Sequence, residues 1–374
     1  MTAPSTSLDI DVAIAGAGVL GLACAAVLAR AGHEVVVLER HAGYGRETTS
    51  RNSGVVHAGL YYPAGSLKAT SCVEGRELLY ARCTRDGVPH RKTGKLVVAT
   101  REDEVPVLAE LMRRGLANGA GALELVDARE ARRLEPRVSA IAALRSPESG
   151  IVDVHALCAS YVREASAHGA AFAYRTELES LEPEDGGWRL STRSEDGETA
   201  TLRARVVVNA AGLSADRVAS LAGLDVDALG LSLRYCKGDY FAIAPRLGPI
   251  TRHLVYPVPS HAGLGVHVTM DLGGAYRAGP DTEYVDAPRY DVDPSKVARF
   301  AAAVRRYLPE ITEHDLSPDY AGVRPKLYGP GEPARDFVLE ERPPGLIHLI
   351  GIESPGLTAA EALARRVAAI VDRG

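Results

Sequence analysis

Hydrophobic and polar positions along the chain follow two rhythms, and the changes between them mark its elements. Val12 to Ala15 is a short apolar run, a helical pattern then passes through Leu22, Ala26, Leu28 and Ala29 to Gly32, and Val35 to Leu38 is a second apolar run that ends on Glu39. Continuous runs of this length, set off by glycines, read as buried parallel strands around a buried helix. The same order of strand, small-residue turn and helix returns at 205–223, RVVVNAAGLSADRVASLAG. Between the two units the pattern predicts a helix over 67–82, a strand over 92–100, and amphipathic helices near 102–118 and 127–134. A helix over 155–170, closed by Gly169, comes next, then a strand over 171–182 and a hairpin turning at Asp196-Gly197. From Leu233 to Gly279 apolar and polar residues alternate as in an antiparallel sheet, and helix returns at 294–308. The chain closes with a strand over Leu346–Ile350, a turn over 351–356 and a helix that starts at Thr358.

These elements predict an α/β protein: a doubly wound, Rossmann-like domain joined to a second domain built on a mostly antiparallel β-sheet. At 374 residues the chain is longer than one core usually serves. The layout expected is discontinuous, with 1–85, 140–215 and 320–374 in the nucleotide domain and 86–139 and 216–319 in the sheet domain.

Chemistry enters at the first turn. Gly16, Gly18 and Gly21 stand at G-x-G-x-x-G spacing between strand and helix, and Glu39 ends the second strand 21 positions after Gly18. Glycines there allow a tight turn, close approach of a pyrophosphate and close contact of helix with strand, while the acid can accept hydrogen bonds from a ribose. The phosphates would lie at a helix N-terminus, where amide groups and the helix dipole favour anions. A dinucleotide site is therefore expected, against the plainer reading of a glycine-rich βαβ unit with no ligand. The loop that follows, Arg40 to Gly54, holds Arg46 and Arg51 with Thr48, Thr49, Ser50, Asn52 and Ser53. It is either a donor set for the same ligand or a solvated loop.

Composition narrows the class. Hydrophobic residues make up 46% and charged residues 24%, as in ordinary globular proteins, and a net charge of −5 offers no general attraction to nucleic acid. Cys24, Cys72, Cys83, Cys158 and Cys236 are odd in number and scattered, with no metal-ligand spacing, so neither a disulfide frame nor a protein-held metal is expected. Residues 12–29 are apolar enough to suggest a membrane span, but their glycines and the valine strand beyond fit strand plus helix better. The opening MTAPSTSLDID lacks the basic region of a secretory signal, so a cytoplasmic protein with no integral membrane segment is expected.

With these segments laid out, the chain resembles the FAD-dependent oxidoreductases of the D-amino-acid oxidase and glycine oxidase superfamily, and within them the L-2-hydroxyglutarate dehydrogenase/oxidase family. The likeness spans nearly the whole chain. It is carried by RNSGVVHAGLYYPAGSLKA (51–69), GKLVVAT (94–100), SGIVDVHAL (149–157), HLVYPVP (253–259), LGVHVTMDLGGAYRAGPD (264–281), AGVRPKL (321–327) and GIESPGLT (351–358). A short loop after Asp281, where some members carry an insertion, departs from the pattern.

The resemblance implies FAD, held by Gly16, Gly18, Gly21 and Glu39, by Arg40, Ser50, Arg51, Asn52 and Ser53, and by Ala211 and Gly212. The final turn, Gly351, Ser354, Gly356, Leu357 and Thr358, would abut the flavin ring. It also implies hydride transfer from an L-2-hydroxy acid, L-2-hydroxyglutarate foremost. Arg324 would grip the substrate carboxylate with two parallel hydrogen bonds. His57 and His267 are the two candidates for the base that removes the hydroxyl proton, His57 being preferred. A second carboxylate calls for a second cation, for which Lys68, Lys237, Arg234 and Lys326 compete, while Tyr62 and Tyr256 would orient the substrate. Reduced flavin would pass its electrons to oxygen, a quinone or another carrier, and a quinone would bring the protein to a membrane surface. The rival readings are an amine or amino-acid oxidase of the glycine or sarcosine type, a flavin-binding scaffold without turnover, and an NAD-dependent dehydrogenase.

Overall fold

A computed structural model describes residues 10–259 and 265–373, so Leu264 and most of the segment before Asp11 lie outside the described residues. The chain forms two compact units, one of residues 1–50, 154–234 and 325–374, the other of 51–153 and 235–324.

In the first unit the apolar runs are parallel strands. Ile10–Ala15 pairs on one side with Val35–Glu39, which pairs with Ala171–Tyr174, and on the other with the end of Thr199–Asn209, which pairs with Leu346–Ile350. The helix Val19–Arg30 is buried along almost its whole length and packs against the helices Val154–Ala167 and Gly356–Val371, which explains its all-round apolar sequence. No helix among the described residues is long and apolar enough to cross a membrane. The expected hairpin and the second valine strand are one element: Thr199–Asn209 pairs antiparallel with Gly187–Ser194 through its first half and parallel with Ile10–Ala15 through its second.

The second unit is organised by a nine-stranded sheet that runs Glu283–Val285, Arg234–Ile243, Tyr276–Ala278, Val268–Met270, Leu254–Pro257, Lys95–Ala99, Ala142–Ser146 and Glu124–Asp127, with Leu316–Lys326 paired to Arg234–Ile243. Register sorts its two faces. Leu96 lies opposite Val255, Val255 opposite Val268, and Val268 and Phe241 both opposite Ala278. This face is the core, with Phe241 against Phe300 of the helix Val297–Arg305. Alternation along the strands then puts Lys95, Tyr240, Tyr256 and His267 on the other face.

The divisions of the chain differ from the expected ones. Residues 51–85 and 140–153 belong to the sheet unit, because Val55–Val56 pairs with Gly150–Val152, which also pairs with His90–Arg91. Residues 216–234 belong to the first unit, where the helix Ala215–Leu221 packs against Leu346–Ile350. Residues 320–324 lie with the sheet unit.

A buried polar link fixes the turn after the long strand. The Asn209 amide donates to the Ala215 carbonyl at 2.7 Å and to His348 Nδ1 at 3.0 Å, and His348 Nε2 donates to the Arg342 carbonyl at 2.7 Å. Both nitrogens of a neutral ring are thus used, and burial pulls the His348 pKa below its usual 6.5. Because the unfolded chain takes up this proton more readily, stability falls as the pH drops below about 6.5. The thermal midpoint of the protein is expected to decline between pH 7 and 5.5, and less steeply in His348→Gln. Equal slopes would remove His348 from the acid response.

Candidate active site

Two sets of residues carry the chemistry, one in each unit. In the first, the ends of the parallel strands open onto a cleft lined by Gly16, Gly18, Glu39, Arg40, Arg46, Thr49, Ala211 and Gly212, among others. Gly16 has φ +104°, and a Cβ on it would sit 2.7 Å from the Ala210 carbonyl oxygen. A Cβ on Gly21 would stand 1.9 Å from the Gly16 carbonyl oxygen. Only glycines let the turn, the helix and the neighbouring strand end come this close. Glu39 is buried and accepts hydrogen bonds from the Ala17 and His41 amides, each at 2.8 Å. A carboxylate has about four acceptor positions, so capacity remains for ribose hydroxyls.

Thr49, rather than its neighbour Ser50, ties the following loop to this turn. Its hydroxyl accepts from the Val19 amide at the helix start, at 3.1 Å. Ser50 is exposed and its hydroxyl donates to the Glu47 carbonyl. Arg40 is paired with Glu47, whereas the guanidinium of Arg46, exposed on the cleft lining, makes no hydrogen bond or ion pair among the described residues. The cradle without Cβ atoms, the helix start, the acid and the available guanidinium together fit the ADP part of FAD.

At the other end of this unit, Gly351 has φ +71° and the last helix begins at Gly356, two positions before Thr358, with Pro355 at its N-cap. Leu357 and Thr358 lie in its first turn, and Ser354 precedes the cap. Lys326 is also here. It donates to the Tyr328 hydroxyl at 2.6 Å and lies 3.7 Å from Glu353, so its charge already has a carboxylate. It is thereby removed from the candidate substrate anchors.

In the second unit, Arg51, Asn52 and Ser53 are tied to the sheet. The Arg51 guanidinium lies 4.2 Å over the Tyr290 ring, the Asn52 side chain accepts from Gly54 N at 2.8 Å, and the Asn52 carbonyl accepts from the Tyr320 hydroxyl at 2.9 Å. Ser53 is hydrogen-bonded to the Tyr240 side chain. This part of the loop is no solvated segment.

On the sheet face the ring of His267 lies flat on Tyr256, centroids 3.6 Å apart. The Lys95 Nζ stands 3.9 Å from the centroid of Tyr256 and 5.5 Å from that of Tyr61. Lys95 is 1% exposed, has no ion pair among the described residues, and burial lowers its pKa to about 7. The Tyr61 hydroxyl is buried and makes no hydrogen bond among the described residues. His57 keeps some accessible surface but is deeply recessed, and its pKa is held well below 6.5, first by burial and then by the positive charges of Lys95 and Arg324. Lys95 and Arg324 therefore each lie within electrostatic reach of His57.

Lys237 is ion-paired with Asp239 at 2.9 Å, and Arg234 is an exposed residue of the first unit. Lys68 is buried in the first turn of the helix Leu67–Asp86, and Tyr62 is half-buried just before it. Lys95, Tyr61, Tyr240, Arg46 and Thr49 carry no role in the sequence reading, although Arg46 and Thr49 fall within its donor-rich loop.

Comparison with known proteins places this geometry. The model of the DAO family, FAD dependent oxidoreductase, matches residues 11–370. The mitochondrial L-2-hydroxyglutarate dehydrogenase of Arabidopsis thaliana is 40% identical over 96% of this chain and 83% of its own length. The Escherichia coli L-2-hydroxyglutarate dehydrogenase is 30% identical over 94% of this chain and 90% of its own. Among solved structures, dithionite-reduced L-alpha-glycerophosphate oxidase from Mycoplasma pneumoniae with FAD bound superposes with a TM-score of 0.88 at 26% identity, covering 97% of this chain and 94% of that one.

Replacing Arg46 by Ala is expected to weaken FAD binding roughly three- to tenfold at low salt, and less at high salt, as befits an exposed cation facing a pyrophosphate. Titration of the apoprotein with FAD at two ionic strengths checks this. An affinity that does not change at either would place Arg46 outside the cofactor site.

Proposed function

Because the chain belongs to the FAD-dependent oxidoreductase family and, within it, to the L-2-hydroxyglutarate dehydrogenases, we propose that it oxidises L-2-hydroxyglutarate to 2-oxoglutarate. The observation that carries the reading is His57, recessed, with its pKa held well below 6.5 within electrostatic reach of the Arg324 guanidinium. FAD, when bound, supplies the hydride acceptor.

In this reading Arg324 pairs with both oxygens of the C1 carboxylate and fixes the orientation of C2. His57 accepts the C2 hydroxyl proton. A base with a strongly depressed pKa is a weak one; burial, the larger cause, persists, but the smaller coulombic part is one that substrate offsets. Carboxylates arriving beside Lys95 and Arg324 offset the positive charge that lowers His57, and its proton affinity rises toward the working pH. His267, stacked face to face on Tyr256, is assigned to shaping the site. Gly16, Gly18, Gly21, Glu39, Ala211 and Gly212 would hold the ADP half of FAD, and the turn from Gly351 to Thr358 the flavin. The proposal includes a cytoplasmic protein whose electron acceptor is oxygen, a quinone or another carrier. Cell fractionation tests the location, since the plant relative is named as mitochondrial.

Anaerobic mixing of the holoenzyme with L-2-hydroxyglutarate is expected to bleach the yellow flavin band, while the D-enantiomer, glycine and sarcosine leave it. Bleaching by the amines alone would assign the protein to the amine-oxidase branch, and bleaching by none would make it a scaffold.

Arg324→Lys is expected to raise KM sharply, because one ammonium cannot reproduce a two-point grip. His57→Ala should slow flavin reduction by roughly a hundredfold or more. Stopped-flow traces of the two variants check both assignments. Loss of the rate in His267→Ala, with His57→Ala unaffected, would exchange the histidines' roles.

A further inference from the structure

L-2-Hydroxyglutarate carries a second carboxylate at C5, and a site selective for it needs a second cation whose charge is not already met. Lys237 and Lys326 each have a carboxylate within 4 Å. Lys95 does not. It opens the strand Lys95–Ala99, its side chain is buried on the face that carries Tyr256 and His267, and no carboxylate pairs with it among the described residues. The Tyr61 ring centroid lies 5.5 Å from the Lys95 ammonium, and its buried hydroxyl makes no hydrogen bond among the described residues.

We propose that Lys95, assisted by the Tyr61 hydroxyl, is the specificity-determining anchor for the C5 carboxylate, so that the substrate lies between Arg324 and Lys95 with its C2 hydroxyl at His57. The inference rests on the functional reading above, in which Lys95 only lowers the His57 pKa, and gives that lysine a binding role.

Three physical arguments support this. An ammonium taken out of water without a counter-ion is destabilised, so an anion that fills the gap recovers much of that cost in binding. The Tyr256 face, 3.9 Å from Nζ, holds the ammonium in place by cation–π attraction without neutralising it. A phenol hydroxyl beside it adds a neutral donor to the same carboxylate. Lys95 also titrates near neutrality, so its grip should weaken as the pH rises.

The groups that surround Lys95 are His57, Tyr61, Cys72 of the helix Leu67–Asp86, Tyr256 and, stacked on Tyr256, His267. Burial holds the Cys72 thiol up at about 12 and the tyrosines above their usual values. A monocarboxylate of the same chain length serves as control for every group other than the C5 anchor.

The test is binding, read by perturbation of the oxidised flavin spectrum and by calorimetry on the holoenzyme, with 2-oxoglutarate and 2-oxopentanoate as probes. The protein should prefer 2-oxoglutarate. Lys95→Met should weaken 2-oxoglutarate roughly a hundredfold or more while 2-oxopentanoate changes by less than about threefold. Tyr61→Phe, which removes one oxygen and keeps the ring, should weaken 2-oxoglutarate roughly three- to tenfold. In the unmodified protein 2-oxoglutarate affinity should fall by close to tenfold between pH 7.5 and 8.5, with 2-oxopentanoate level.

If the protein prefers 2-oxoglutarate and Lys95→Met keeps the preference, the anchor lies elsewhere and the functional reading stands. If the unmodified protein shows no preference for the dicarboxylate, both fall. Should Lys95→Met fail to fold, the pH dependence and Tyr61→Phe decide: a flat profile with unchanged Tyr61→Phe binding overturns the assignment.

Discussion

Positive charge held out of water without a matching carboxylate is the constraint on which the sheet face depends. A lysine of this kind is normally excluded from a protein interior, or arrives there with its partner, as Lys237 does with Asp239. Lys95 is kept in place by covalent position in a buried strand and by the tyrosine ring beneath its ammonium. The arrangement reduces stability in the empty state, and it is sustained by a sheet whose opposite face buries a large apolar core. His57 feels the result directly, since its proton affinity is set by burial and by the two cations near it. Substrate charge, base strength and the choice of a dicarboxylate thereby become parts of one electrostatic arrangement.

The first unit works by a different principle, close approach of backbone. Gly16 and Gly21 remove the side chains that would hold turn, helix and strand apart, and the cleft forms where the parallel strands end. Thr49 completes the turn from a distant loop by taking the first helical amide, so the loop and the glycine turn form one body. Asn209 and His348 do the same for the second βα turn by filling every polar position of a buried ring and amide.

Much of this was legible in the sequence. The glycine spacing, the two valine strands, the acid at Glu39 and the closing helix all reappear, because each rests on local periodicity that tertiary contacts reinforce. Other features depend on pairing between segments far apart, which periodicity does not record. Val55–Val56 has only two residues to show alternation, so its place in the sheet unit was invisible until Gly150–Val152 was found beside it. Lys95 reads as a polar residue at the mouth of a strand. Only register, which sets Lys95 opposite Leu254 two positions from Tyr256, shows that it shares a face with that ring. Lys326 and Lys237 read as available cations because Glu353, Asp239 and Asp291 meet them only in the folded chain.

The crowding of cations around His57 also bears on the order of events at the end of a catalytic cycle. Oxidation of C2 leaves both carboxylates of the bound molecule intact, so the keto acid is held by the same charges as the hydroxy acid. On the proposed mechanism, what changes is the imidazole, which would carry the proton taken from the hydroxyl. If the dianion left first, an imidazolium would remain within electrostatic reach of Lys95 and Arg324. Loss of that proton weakens the hold on the keto acid, so on this mechanism release of product and release of a proton are linked.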